Sequence, residues 1–221
     1  MSGKPDGTLR SGYFDGLYEQ SPDPYGFTSR WYESRKYALS VAMLPWARYR
    51  SAFEPGCSIG VLTALLAPRC DALLSCDGAA AAVAAARART ETFPQVRVEQ
   101  CRLPGDWPQG PGSGAPFDPI VLSEMLYYLS DEDLARTISL AVDTLEAGGT
   151  LLAVHWRRPV PFHPQTGDEA HAALAARPEL TCMADHREPD FLAQVYVRAP
   201  AGADPAAQPD ALSVAAAEGL T

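Results

Sequence analysis

Two acids frame a glycine-containing loop and a short helix between residues 54 and 77. The loop Glu54-Pro55-Gly56-Cys57-Ser58-Ile59-Gly60 follows an apolar strand. Glycine lets the backbone approach a ligand closely, and the first amides of the following helix can donate to an anionic group. Asp77 ends the next apolar run, seventeen residues after Gly60, about where an acid meets ribose hydroxyls in this architecture. The stretch therefore predicts a strand, turn, helix and strand that bind a nucleotide-type cofactor.

The glycine pattern of the loop separates two classes of cofactor. A dinucleotide fingerprint needs glycine at 56, 58 and 61, whereas the chain has Gly56, Ser58 and Val61. A nicotinamide oxidoreductase therefore ranks last. The loop instead resembles the acid-x-Gly-x-Gly-x-Gly motif of class I S-adenosylmethionine-dependent methyltransferases, with serine at the middle glycine. That resemblance implies S-adenosylmethionine as cofactor, S-adenosylhomocysteine as product, and cofactor contacts from Glu54, Gly56, Cys57, Ser58, Gly60 and Asp77.

Strand and helix patterns alternate along the middle of the chain, which predicts a parallel sheet with crossover helices. The predicted strands lie near 50–54, 72–76, 96–101, 119–123 and 149–155, and the helices over 60–67, 78–90 and 131–145. Two later apolar runs, Leu180 to Ala184 and Phe191 to Val197, predict an antiparallel hairpin. This order is what the resemblance implies: an α/β, Rossmann-like class I methyltransferase fold whose parallel sheet ends in an antiparallel hairpin.

The domain prediction has one folded unit. Residues 13–198 form a single methyltransferase domain, with an N-terminal helical cover over 13–48 and a Rossmann-like core over 49–198. The cover includes a helix over 29–44, ended by Pro45. Residues 1–12 are predicted to be a disordered leader and residues 199–221 a disordered tail, on their content of small residues and proline.

The segment Phe117 to Glu124 resembles the fourth-strand motif of the same methyltransferases. Ligands of open parallel sheets bind at the carboxyl ends of strands, which places Ser123 and Glu124 at the site. Pro119 is compatible with a central strand only as its first residue, because proline cannot donate to the ladder. The Pro-Pro-aromatic signature of enzymes that methylate nucleobase amino groups is missing after Ser123, which argues against a nucleic-acid substrate.

A second resemblance is more particular. Asp23-Pro24-Tyr25, Trp31-Tyr32-Glu33 and Ser123-Glu124-Met125-Leu126-Tyr127-Tyr128 are similar to segments of the nodulation protein S family of N-methyltransferases. The likeness implies that the aromatic N-terminal segment covers the cofactor, with Tyr25 and Trp31 near its methionine end. Aromatic faces stabilise a sulfonium cation, and a cover excludes water. The alternative is an aromatic cluster that packs a helix onto the sheet.

Methylation of an amine also needs a group that accepts the proton of the acceptor, since an ammonium has no lone pair. Glu124 and His155, at the ends of neighbouring predicted strands, are the candidate catalytic residues. His163 and His171 lie in a segment, 159–176, that could form a substrate lid. Backbone groups of Cys101 or Arg102 are the candidates for adenine binding. Arg157 and Arg158 could orient an anionic acceptor or be surface charges.

Composition and net charge limit the classes of molecule that the protein is expected to bind. The 221 residues are 47% hydrophobic and carry a net charge of -9, without the clustered cations that a nucleic acid or an anionic membrane requires. The five cysteines lack metal-ligand or paired spacing, so no metal is expected. No stretch has the length of a membrane span and the first residues lack an apolar signal core, so a soluble, cytoplasmic monomer or homodimer is expected.

These observations lead to one hypothesis and two alternatives. The hypothesis is a methyltransferase that moves a methyl group from S-adenosylmethionine to nitrogen of a small polar acceptor, such as an amino sugar. The first alternative is methylation of oxygen in a small metabolite. The second is a non-catalytic S-adenosylmethionine-binding regulatory subunit, motivated by the departures at Ser58 and Pro119.

Overall fold

A computed structural model describes residues 7–9, 11–110, 114–199 and 213–220. The helices are α1 (Ser11–Gln20), α2 (Trp31–Met43), α3 (Val61–Leu66), α4 (Ala80–Thr90), α5 (Asp131–Thr144), α6 (Gly167–Ala175) and α7 (Val214–Ala217). The strands are β1 (Ala52–Pro55), β2 (Leu73–Asp77), β3 (Val96–Gln100), β4 (Ile120–Ser123), β5 (Thr150–Trp156), β6 (Leu180–Arg187) and β7 (Phe191–Arg198). None of the helices in these ranges is long and apolar enough to cross a membrane.

The strands form one mixed sheet in the order β3-β2-β1-β4-β5-β7-β6. Strands β1 to β5 pair in parallel, whereas β7 runs antiparallel to both β5 and β6. The predicted class I methyltransferase fold is thus confirmed. Its strand order reverses at β1 and β4, and the carboxyl ends of these strands open a crevice where ligands of such sheets bind.

Apolar side chains cover both faces of the sheet. Along β5, Leu151 and Ala153 pack with α5 and α6, whereas Leu152 and Val154 pack with α2 and α3. All four side chains are fully buried. A strand buried on both faces is characteristic of a parallel sheet between two layers of helices. The cover helix α2 is therefore part of one of these layers.

Proline positions agree with the ladder chemistry. Pro119 precedes the first residue of β4, and its carbonyl oxygen accepts a hydrogen bond from Phe53 N at 2.8 Å. Proline can accept a hydrogen bond but has no N–H to donate, so Pro119 at this position leaves the hydrogen bonds of the strand intact. Pro68 follows α3 in a single 3-10 turn, Ala67–Arg69, so the predicted helix over 60–67 is shorter than expected.

The aromatic N-terminal segment contains a helix that the sequence did not indicate. Helix α1 spans Ser11–Gln20 and includes Gly12 and Gly16, which lower helix propensity. Its stability comes from packing, since Tyr18 is buried against Ile59, Ala79 and Ala82. Ahead of it, Leu9 N donates to the carbonyl oxygen of Tyr128 at 2.9 Å. The predicted leader and tail lie largely outside the described residues, and the domain boundaries stay a prediction.

Candidate functional site

A cavity of about 1210 Å³ lies at the carboxyl ends of the parallel strands, beneath the N-terminal cover. The core contributes the loop after β1, the end of β2, the residues after β3 and the turn after β4. Helices α1 and α2 and the segment between them line the opposite side. The segment 160–163 and the turn between β6 and β7 complete it. One partly open cavity thus joins the predicted cofactor loop to the predicted cover.

The loop after β1 depends on glycine at two positions. Gly56 and Gly60 have φ angles of 73° and 76°, in the left-handed region. A Cβ at Gly56 would lie 3.1 Å from Met125 Cβ, and one at Gly60 would lie 2.9 Å from Ala86 Cα. The amides of Gly56 and Cys57 donate to the Cys76 carbonyl oxygen, at 2.7 and 2.9 Å. Side chains larger than hydrogen would therefore push the loop away from the turn after β4 and from α4.

Ser58, the departure from the glycine motif, connects the loop to the cover. Its Oγ lies 2.5 Å from the hydroxyl oxygen of Tyr18 on α1. Its backbone adopts φ of 50°, and its amide donates to Asp77 Oδ2 at 2.9 Å. A glycine at this position would adopt the same backbone with no means of binding Tyr18. Serine thus adds a hydrogen bond between the cofactor loop and the helix above it.

This bond predicts energetic coupling between Ser58 and Tyr18. Ser58→Gly and Tyr18→Phe each remove this hydrogen bond. The double variant should therefore lose its contribution to the free energy of unfolding only once. A double-mutant cycle on the free energy of unfolding should give a coupling of about 0.5–1.5 kcal/mol, the net value of one hydrogen bond. Denaturant titration measures it. Strictly additive losses would show that the two hydroxyls do not interact.

Asp77 ends β2 with its carboxylate turned toward the loop. Oδ2 accepts from Ser58 N and Oδ1 accepts from Ala79 N, each at 2.9 Å. Burial raises the pKa of this carboxyl above its ordinary value, while the amides of Ala79, Ser58 and Gly78 act in the opposite sense. Asp77 lines the cavity. The side chain is thus fixed at the cavity wall, where the predicted ribose contact places it.

A buried lysine joins the cover to the end of β4. Lys36 Nζ lies 2.5 Å from Glu124 Oε1 and 3.0 Å from Glu33 Oε2. Its side chain is 3% exposed. Burial lowers the pKa of Lys36, but the carboxylates of Glu124 and Glu33 outweigh burial and raise it above its ordinary value. The lysine therefore stays charged between two acids.

Glu124 is held from three directions. Besides the Lys36 ion pair, its Oε2 accepts from the Tyr127 hydroxyl at 2.6 Å and from Trp156 N at 2.9 Å. Its backbone has a φ of 56°, which is uncommon for a residue with a side chain. Glu124 lines the cavity, as do Tyr127 and Trp156. A strained residue at a strand end that lines a cavity is typical of a functional position.

His155 lies at the end of β5, as predicted, but its ring does not face the cavity. It is fully buried, and Nε2 accepts a hydrogen bond from Leu126 N at 3.2 Å. Nδ1 lies 3.1 Å from Nε2 of His171, whose Nδ1 lies 2.6 Å from Gln194 Oε1. Burial holds the pKa of His155 well below its ordinary value. This geometry gives the ring a role in positioning the turn after β4, and no support for the predicted catalytic role.

The other predicted cofactor residues divide into two sets. Those that line the cavity are Tyr25, Gly56, Ser58, Asp77, Cys101 and Arg102. Those of the described residues that do not are Trp31, Glu54, Cys57, Gly60 and Ser123. Trp31 is 77% exposed, at the first position of α2. Neither its exposure nor its direction matches the predicted place at the methionine end of the cofactor.

Glu54 supports the site from below. Its Oε2 accepts from Thr63 Oγ1 at 2.6 Å and from Ser75 Oγ at 2.8 Å. Burial raises the pKa of Glu54 to about 7, against the two hydroxyl hydrogen bonds. The carboxyl therefore ties β1 to α3 and β2 beneath the loop.

An aromatic wall stands opposite the glycine loop. The rings of Tyr127 and His163 stack with centroids 4.9 Å apart, and Phe14 packs edge-on against Tyr128 at 5.0 Å. Burial lowers the pKa of His163 to about 4, so its ring is neutral near pH 7. Arg157 and Arg158 pair with Asp168 and Asp190, as surface charges would. The wall thus contributes aromatic side chains to the cavity lining, from Phe14, Tyr127, Tyr128 and His163.

The sequence model of the family described as nodulation protein S matches residues 18–174. The chain belongs to the nodulation protein S (NodS) family of S-adenosylmethionine-dependent methyltransferases. Nodulation protein S of Bradyrhizobium diazoefficiens is 33% identical over 110 residues. That match spans 49% of this chain and 50% of the relative, so the chain covers half the length of the curated relative it matches.

Solved structures agree with NodS membership. A proposed methyltransferase from Pseudomonas syringae is 46% identical, with a TM-score of 0.66, over 76% of this chain and all of that chain. The N-methyltransferase NodS from Bradyrhizobium japonicum WM9, in complex with S-adenosylhomocysteine, has a TM-score of 0.73 at 20% identity. It is matched over 86% of this chain and 99% of its own length. The predicted family and enzyme class are confirmed, and the S-adenosylhomocysteine bound to the Bradyrhizobium japonicum relative agrees with the predicted cofactor.

Sequence reasoning missed Lys36 and Tyr127 as parts of the site, and gave His163 only as part of a candidate substrate lid. The three-residue spacing of Glu33 and Lys36 indicates a helical ion pair. Nothing in that spacing indicates the second carboxylate, which stands 88 residues further along the chain. The turn Leu126–Tyr128 places Tyr127 inward, and only the fold shows its direction.

Proposed function

We propose that this NodS family member transfers a methyl group from S-adenosylmethionine to nitrogen of a small polar acceptor, such as an amino sugar. The observation that supports nitrogen is the charge at the cover end of the cavity. Glu33 and Glu124 both pair with one buried cation, Lys36, so these three groups together carry an excess of negative charge. Arg30 also lines the cavity, but its side chain is exposed and it acts on Glu33 more weakly than Lys36 does. A protonated amine complements that charge, and a carboxylate beside it can accept its proton.

The residues present fit the cofactor. When bound, S-adenosylmethionine supplies an electrophilic methyl group on a sulfonium. Gly56 and Ser58 bring backbone close to the cavity without obstruction, and Asp77 presents a carboxylate that can accept from ribose hydroxyls. We assign backbone groups of Cys101 and Arg102 to the adenine and the ring of Tyr25 to the methionine end. Tyr25 lines the cavity, and its hydroxyl oxygen is buried.

The two alternatives lose part of their motivation. Ser58 binds Tyr18, and Pro119 lies ahead of β4, so both departures have structural roles that require no loss of turnover. An alcohol acceptor is neutral and would gain little from the excess negative charge beside Lys36. The N-methyltransferase NodS of Bradyrhizobium japonicum is a relative whose described activity agrees with an amine acceptor.

The net charge and the cysteine thiols bear on the other binding partners and on the cellular compartment. A net charge of -9 disfavours nucleic acid and anionic membranes as partners. All five cysteines are free thiols, which favours a reducing compartment and hence the cytoplasm. A small-molecule acceptor is consistent with the volume of the cavity, about 1210 Å³. Monomer and homodimer are both compatible with these observations.

Matched acceptors test the proposal. The purified protein is incubated with S-adenosylmethionine carrying a deuterated methyl group, and with D-glucosamine or D-glucose, ethanolamine or ethylene glycol. Mass spectrometry should detect methylated amine and no methylated alcohol. Methylated alcohol would favour the oxygen alternative. Binding of S-adenosylhomocysteine by calorimetry without product from any acceptor would favour the regulatory alternative, and absent binding by folded protein would contradict the cofactor assignment.

A further inference from the structure

Glu33 brings a carboxylate from the cover into the cavity. It lies in the first turn of α2, is 8% exposed, and lines the cavity together with Lys36 and Glu124. Its Oε2 forms the 3.0 Å ion pair with Lys36 but meets no hydrogen-bond geometry with any described residue. The side chain is thus buried at the ligand space with incomplete hydrogen bonding. A buried carboxylate in this state has a free energy to gain from a cationic donor.

The two acids beside Lys36 differ in their capacity for a ligand. A carboxylate can accept about four hydrogen bonds. Glu124 already accepts from Lys36, Tyr127 and Trp156, and those partners belong to three different elements. Glu33 has Lys36 as its partner within the described part of the chain. Glu33 lies on the cover rather than on the sheet, and it lines the cavity with fewer partners than Glu124 has.

We propose that Glu33 binds the protonated amine of the acceptor and accepts its proton before methyl transfer, while Glu124 holds Lys36 and thereby positions Glu33. This inference rests on the proposed function. It moves the proton acceptor from the end of β4 to the cover helix. Glu124 then acts as a positioning residue.

The step balances in protons and electrons. The ammonium of the acceptor gives one proton to the Glu33 carboxylate, and the nitrogen regains its lone pair. That lone pair forms the new N–C bond while the C–S bond breaks and its electron pair stays on sulfur. The product is a methylated ammonium and a neutral thioether. The carboxylic acid of Glu33 returns its proton to solvent after the product leaves.

The charges around Glu33 suit this exchange. Burial raises the pKa of Glu33, Lys36 lowers it, and Glu124 and Arg30 act more weakly in opposite senses. A carboxyl with a raised pKa is a better proton acceptor than an exposed one. Tyr32, the neighbour of Glu33 on α2, also lines the cavity, with its buried hydroxyl oxygen unpaired within the described residues. It offers a second polar contact to the acceptor.

The test compares Glu33→Gln with Glu19→Gln, which changes an exposed acid of the other cover helix. Lys36 keeps Glu124 as partner in Glu33→Gln, so this variant should fold. With D-glucosamine as the amine, Glu33→Gln should lower kcat/KM by about 100-fold, the scale of general-base catalysis. Its affinity for S-adenosylhomocysteine should match the wild type. Calorimetry should show weaker binding of D-glucosamine to the protein saturated with S-adenosylhomocysteine, and Glu19→Gln should change neither quantity.

The pH profile adds a readout that a structural role would not move. The rate of the wild type should rise with pH through the pKa of Glu33, because only the ionised carboxylate accepts a proton. That inflection should vanish in Glu33→Gln. Glu33→Asp retains an acid that is one methylene shorter, so it should keep the inflection at a reduced rate. If Glu33→Gln fails to fold, Glu33→Asp with full activity would overturn the inference.

The remaining outcomes separate this inference from the proposed function. An active wild type with an equally active Glu33→Gln would overturn the role of Glu33 and leave amine methylation intact. A wild type that binds S-adenosylhomocysteine but methylates no amine would overturn both. Loss of S-adenosylhomocysteine binding in Glu33→Gln, with fold retained, would place Glu33 on the cofactor and contradict its role at the acceptor.

Discussion

Replacing Lys36 with methionine should lower the free energy of unfolding by about 3–5 kcal/mol, the usual cost of removing one partner from a buried ion pair. Methionine retains the length and apolar stem of lysine, so the lost charge is the main change. Glu33 and Glu124 would then face each other without a cation between them. Denaturant titration at pH 7 measures the loss from the transition midpoint at constant slope.

Arg35 supplies the matched control for this prediction. It is the residue before Lys36 on α2 and forms two hydrogen bonds with Glu188, but its side chain is 45% exposed. Arg35→Met should therefore cost about 0–1 kcal/mol, as exposed pairs do. Equal losses of unfolding free energy in Lys36→Met and Arg35→Met would show that burial does not increase the contribution of the Lys36 ion pairs. The cover would then be held mainly by its apolar contacts.

Replacing Asp77 with alanine should weaken S-adenosylhomocysteine binding by about 1–3 kcal/mol, or about 5–150-fold in Kd. Two losses contribute. The ribose hydroxyls lose their proposed acceptor, and the amides of Ser58 and Ala79 lose the carboxylate that now orients them. Calorimetry on folded protein measures the affinity.

Two further variants make the Asp77 result specific. Asp77→Asn keeps one oxygen acceptor of similar shape, so its loss of affinity should lie between those of the wild type and Asp77→Ala. Asp71→Ala changes an exposed acid that pairs with Arg48 and lies two residues before β2 begins. It should leave affinity unchanged. Wild-type affinity in Asp77→Ala would remove this residue from the cofactor site.

The sequence was most informative for features that depend on residues close to one another along the chain. Gly56 and Gly60 lie in one loop whose left-handed backbone the glycines supply. Asp77 ends the next strand along the chain. The alternation of strand and helix patterns then left few topologies, because crossovers between parallel strands have a fixed hand. Ladder chemistry allowed Pro119 only as the first residue of the fourth strand, and β4 begins one residue later, at Ile120.

Side-chain direction could not be predicted in the same way. His155 and Trp156 are neighbours on β5, and one packs toward α6 while the other faces the cavity. A strand that is buried on both faces has no polar alternation from which to choose between them. Trp31 and Tyr32 present the same difficulty on α2, where the resemblance gave the segment but not the rotation of the helix. Pairing of Lys36 with Glu124 depends on tertiary packing and has no local signal.

The bond between Ser58 and Tyr18 has a thermodynamic consequence. Ser58 belongs to the loop that faces the ligand and also to the contact that seats α1. Linkage between two equilibria is reciprocal, so any factor by which seating of α1 tightens ligand binding is the factor by which the ligand favours seating. A family member with glycine at this position lacks this link. In this chain, the Ser58–Tyr18 hydrogen bond is a direct contact through which seating of α1 and binding at the loop can be linked.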